Sequence, residues 1–134
     1  MSKPRSAKLK FPIEIGRCFV HGLVVRIYVD DDNSGCYLFP TKDDPYGKIY
    51  VGIADGLDRA IDIFLHESFE MNAHMADARY RPDGWASNGS DGSMFIMTHA
   101  VLTDQIHRIA SNLSVCLDEL RKVCKRYNRE RGDI

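Results

Sequence analysis

His66, Glu67, Glu70 and His74 stand within nine residues of one another in the stretch FLHESFEMNAHM. Imidazoles and carboxylates ligate divalent metals and carry protons, so this is where the chain could do chemistry. A metal site on a helix takes ligands at i and i+4, because that spacing brings two side chains to one point. His66 and Glu70 have it, and so do Glu70 and His74. His66 and His74 would lie about 12 Å apart along a helix axis, too far to share one ion. A single site therefore uses one pair, with Glu70 as its pivot, and needs a third ligand from elsewhere. His99, in the segment IMTH, is the best placed. The set His66, Glu70 and His99 would suit a divalent metal such as zinc. His107 sits at the edge of an apolar stripe, and His21 reads as a surface residue.

On a helical wheel Asp62, His66, Glu67, Glu70, His74 and Asp77 share one side, and Ile61, Phe64, Ser68, Met71 and Met75 lie opposite. Between Arg59 and Arg79 there is no Lys or Arg. Acids one turn apart repel, and a divalent cation or a basic segment packed nearby would relieve them. Three readings of this ridge remain open. It could hold a catalytic metal, form a His/Glu binding pocket or polar network, or be a solvated face.

In HESFE, Glu67 stands beside the first potential ligand, where it could deprotonate a bound water. To that extent the segment resembles the zincin motif HExxH, with Glu70 in place of the second histidine. The likeness implies a metal-dependent hydrolase with Glu67 as general base, on a site that departs from the peptidase pattern. A longer likeness runs over residues 49–110. The order IYVGIADGLDRAIDIFLHESFEM, then RYRPD, then SMFIMTHAVLTDQIHRIA resembles small phage-encoded proteins of unassigned function. These share an HExxE helix, a Tyr-containing exit and an FxMTH segment. That resemblance implies that His66, Glu67, Glu70 and His99 form one spatial cluster and that the setting is viral, in the cytoplasm of a host cell. Small size, segregated charge and an incomplete catalytic set favour an accessory protein that acts by binding. It would sequester a ligand or inhibit a host protein, as in counter-defence; the hydrolase is the alternative.

The elements that must position these residues follow from periodicity. KFPIEIG, HGLVVRIYVD, CYLFP and KIYVGIA read as strands, with DDDNSG and TKDDPYG as turns between them. Helical spacing sets in from Leu57 to Arg79, with Asp55 as N-cap and Pro82 after the end. The segment MFIM is a candidate fifth strand, and a second helix runs from His99 or Thr103 to Tyr127. The expected fold is α+β: a small antiparallel sheet of four to five strands with two long helices packed on one face. Residues 10–128 form the domain, 1–9 a flexible basic N-terminus and 129–134 a flexible C-terminus.

Other features bound the function. The 134 residues suffice for one core, and a net charge of −1 names no partner. Basic residues nevertheless gather at both ends, as solubilising termini or as a phosphate-contacting face for nucleic acid. Cys18, Cys36, Cys116 and Cys124 form no CxxC pair and read as reduced thiols, Cys18 and Cys36 within the core. No signal-peptide core or long apolar run is present, so no membrane partner is expected, and a cytoplasmic location is. DDDNSG lacks the closing glutamate of a calcium loop, with Thr41 at that place, and reads as a hairpin turn. Trp85, beside the loop PDGWASNGSDGS, is a candidate recognition residue.

Overall fold

The computed structural model describes residues 8–76, 79–80, 94–95 and 97–132. Its elements are β1 (Ile13–Val20), β2 (Leu23–Asp30), β3 (Gly35–Leu38), β4 (Gly47–Gly52), α1 (Leu57–Met75), β5 (Arg79–Tyr80), β6 (Met94–Phe95) and α2 (His99–Glu130). The fold is α+β. One core joins the inward faces of the sheet to both helices. Val25, Ile27, Val29, Ile49 and Val51 meet Ile63, Phe64 and Met71 of α1 and Cys116, Leu120 and Cys124 of α2.

The expected antiparallel sheet is corrected in one respect: the sheet is mixed. Its order is β1-β2-β4-β3. β2 and β4 run parallel, and β3 pairs with the far side of β4 in antiparallel register. The reason lies in the strands themselves. β4 carries Ile49 and Val51, both fully buried, whereas β3 has four residues and exposes Cys36 and Leu38. The more apolar strand takes the central position, where both edges are bonded, and the weaker one is left at the rim. Cys36 is therefore a surface residue, not the core residue expected.

This order also reassigns DDDNSG. It is not a hairpin turn; residues 31–34 cross over the end of β4. The amides of Gly52, Ile53 and Ala54 donate to the carbonyls of Ser34, Asp30 and Asp32 at 2.8, 3.0 and 2.9 Å. A Cβ on Gly52 would stand 2.5 Å from the carbonyl oxygen of Asp32 and 2.6 Å from that of Ser34, so only glycine fits beneath the crossing. The first hairpin turns at His21–Gly22, where φ is 48° and 82°. Two consecutive positive φ values fit the two-residue turn that suits the twist of paired strands.

α1 begins after Gly56 with no side-chain cap, so Asp55 does not cap it, and it ends at Met75, one turn short of the expected Arg79. α2 starts where Thr98 Oγ1 accepts from the Val101 amide at 3.2 Å and continues to Glu130, past the expected end at Tyr127. Met94–Phe95 pairs with Arg79–Tyr80 in a separate two-stranded ladder and adds no fifth strand to the main sheet. The helices are tied by Gln105, whose Nε2 donates to the Phe69 carbonyl at 3.0 Å. Among the described residues, no helix is long and apolar enough to cross a membrane.

Candidate metal centre

α1 lies on the sheet through Ile63, Phe64 and Met71, and this apolar grip fixes where its polar ridge emerges. Glu67 follows Ile63 by one turn, so it sits at the margin between core and solvent. Gly35 lets the helix come close there. A methyl group on Gly35 would collide with Ile63 Cγ2 and stand 3.1 Å from Glu67 Cγ. The result is an acid that is only 8% exposed. Among the described residues it has no hydrogen bond or ion pair. Burial pushes the Glu67 carboxyl above the usual carboxylate range; His66 pulls it down and Glu70 pushes it further up.

Ligand atoms of His66, Glu67 and Glu70 all lie within 4.8 Å of one another, the one such set among the described residues. His66 Nε2 is 3.5 Å from Glu70 Oε1, the i,i+4 contact that the spacing predicts. Metal–ligand bonds of about 2.0–2.2 Å place the ligands of a tetrahedral site roughly 3.4 Å apart. Closing the set onto one ion thus takes shifts of the ligand atoms of ~1.5 Å. One imidazole and two carboxylates form a donor set that fits zinc or manganese. His66 is exposed and Glu70 half-buried, which leaves the outer side open to a further ligand.

The cluster stands at one end of an open groove of about 470 Å³, lined by Asn33, Ser34, Arg59, Asp62, His66 and Glu67. Arg59 and Asp62 precede His66 by seven and four residues and so share its ridge. The ridge was legible for Asp62; Arg59 could have been added by extending the wheel one turn. Asn33 and Ser34 carried no sequence signal, because they arrive only through the crossing over β4. Cys36, also missed as a surface group, lies within electrostatic reach. Burial raises its thiol most, followed by Glu67, Asp32 and Asp30.

The expected site is thus redrawn. His66 and Glu70 come together. Glu67, expected as a free base, joins them as a potential ligand. His99, expected as the third ligand, does not belong to the set; it is the exposed first residue of α2. α2 meets α1 along the side bearing Leu65 and Phe69, which line an apolar groove with Ile106 and Ile109, while the cluster faces Gly35 and β3. His74 is also outside the set. Its ring meets that of Phe39 edge-on, with centroids 4.7 Å apart. Trp85 lies outside the described residues. No protein-family model, curated protein or solved structure matches this chain.

Proposed function

We propose that this is a small phage-type accessory protein that acts by binding, sequestering a ligand or inhibiting a host protein in the host cytoplasm. Its functional surface is the cluster of His66, Glu67 and Glu70, holding a divalent cation such as zinc. The observation that supports the cation site is Glu67: nearly buried, unpaired among the described residues, and within 4.8 Å of two other ligand groups. An acid in that position is costly unless something positive compensates it.

The same residue favours binding over hydrolysis. The zincin pattern uses three protein ligands together with a separate glutamate that takes a proton from the bound water. If Glu67 is the base, only His66 and Glu70 remain as ligands. If Glu67 is a ligand, the cluster holds no base. Neither assignment gives that full set within the cluster of His66, Glu67 and Glu70 among the described residues.

Metal analysis of protein purified without chelator tests the reading. The expected outcome is near-stoichiometric zinc or manganese, a lower melting temperature in EDTA, and loss of metal in Glu67→Ala and Glu70→Ala. Metal-free protein whose stability EDTA does not change would contradict it. Hydrolysis of a peptide or ester by the metal-loaded protein, abolished in Glu67→Gln, would favour the hydrolase instead.

A further inference from the structure

The two basic ends of the chain, remote in sequence, meet in the fold. The Leu9 amide donates to both carboxylate oxygens of Glu130, at 3.3 and 3.2 Å. Two residues on, the Phe11 ring meets Tyr127 edge-on with centroids 5.8 Å apart. These contacts lay residues 8–11 against the last turns of α2. Lys8 and Lys10, on the segment held by these contacts, and Lys125 and Arg129, in the last turns of α2, are all exposed. None of the four has an ion pair among the described residues. Arg126 and Arg131 complete the patch. Arg126 pairs with Glu130 at 3.3 Å, and Arg131 lies over the Tyr127 ring, 4.5 Å from its centroid.

Among the described residues, two acids adjoin these contacts. Glu130 is engaged by Arg126 and the Leu9 amide, and Asp55 follows Ala54, whose carbonyl accepts from Arg131 at 3.2 Å. In sequence, Lys3 and Arg5 precede Lys8 with no acid among residues 1–13. A chain of net charge −1 thus gathers a local excess of positive charge at one place.

We propose that this composite patch binds the phosphate backbone of nucleic acid. Long, exposed cations on a helix end and an adjoining arm suit a string of phosphates, which they neutralise with release of counterions. A protein or membrane partner would call for an apolar centre. Among the described residues, the exposed large hydrophobics (Phe19, Leu38, Leu65, Met75, Val101, Ile106 and Val115) lie on other parts of the sequence. The surface is independent of the metal cluster, and neither reading depends on the other.

Fluorescence anisotropy of a short labelled DNA duplex with the full chain tests it. With about four phosphates neutralised, affinity falls roughly a hundredfold between about 50 and about 200 mM salt. The double variant Lys125→Glu/Arg129→Glu, checked for folding by circular dichroism, binds roughly tenfold more weakly or worse. Lys42→Glu, on the β3–β4 connection, leaves affinity within about twofold. Absence of binding at low salt, or binding that the double variant does not weaken, overturns the proposal. So does displacement by poly-glutamate at equal charge concentration, which would assign the patch to acidic proteins.

Discussion

Glu67 and Glu14 are acids held in opposite ways, and they pull stability in opposite directions with pH. The Glu67 carboxyl is raised by burial, so it ionises more readily in the unfolded chain than in the folded one. Its contribution is fully present below the unfolded value of about 4.5 and is lost as pH rises through the folded value. In EDTA, the urea midpoint of wild type should therefore decline from mild acid towards neutrality. Glu67→Gln should remove that decline and be the more stable protein at neutral pH. A Glu67→Gln protein that is less stable than wild type there would contradict this account of the site. Glu14 is the reverse case. The hydrogen bond from Arg26, at 2.6 Å, and that from Arg17, at 2.9 Å, hold it down at about 2 against a usual 4.5. Its stabilisation is present above 4.5 and is lost as pH falls towards 2. Glu14→Gln should flatten that acid limb in a pH series of unfolding curves; an unchanged limb would mean that the Arg26–Glu14 pair contributes nothing. At this scale the sequence was a partial guide. His66 and Glu70 were legible from their spacing alone, because a helix dictates which residues are neighbours. The part played by Glu67 was not, since it depends on a glycine 32 positions away that lets the sheet close over it.

The strands and helices were legible in kind, and their pairing was not. Strand character follows from local composition, but which strand lies beside which is a competition for the most buried position. β4 wins it over β3 because Ile49 and Val51 bury completely while Cys36 and Leu38 do not. The position of Gly52 follows from that outcome. Adding one methyl group there drives it into the carbonyls of Asp32 and Ser34, which are main-chain atoms and cannot turn aside. Gly52→Ala should cost about 1–3 kcal/mol, as overpacking in a tight site does, measured by urea unfolding. A loss under ~0.5 kcal/mol would mean that the crossing of residues 31–34 over β4 is loose. The same crossing brings Asn33 and Ser34 to the groove, so the order of the sheet and the shape of the site are one fact.

At the scale of the whole molecule, charge and topology together decide what can act. The basic ends were visible in the sequence as two separate clusters, but their meeting required the Leu9–Glu130 and Phe11–Tyr127 contacts across the fold. His99 illustrates the converse. It was drawn to the cluster by motif order, yet α2 approaches α1 on the Leu65 and Phe69 side and leaves it outside the ligand set. What results is a molecule with a ridge on α1 that gathers His66, Glu67 and Glu70, and basic residues at both ends of the chain. The central claim is that Glu67 completes a cation site with His66 and Glu70. Calorimetric titration of zinc into metal-free protein tests it most directly. Wild type should bind about one zinc, Glu67→Gln should bind none, and His74→Ala and His99→Ala should bind as wild type does. A wild type that takes up no zinc, or a Glu67→Gln protein that binds it undiminished, would contradict the claim.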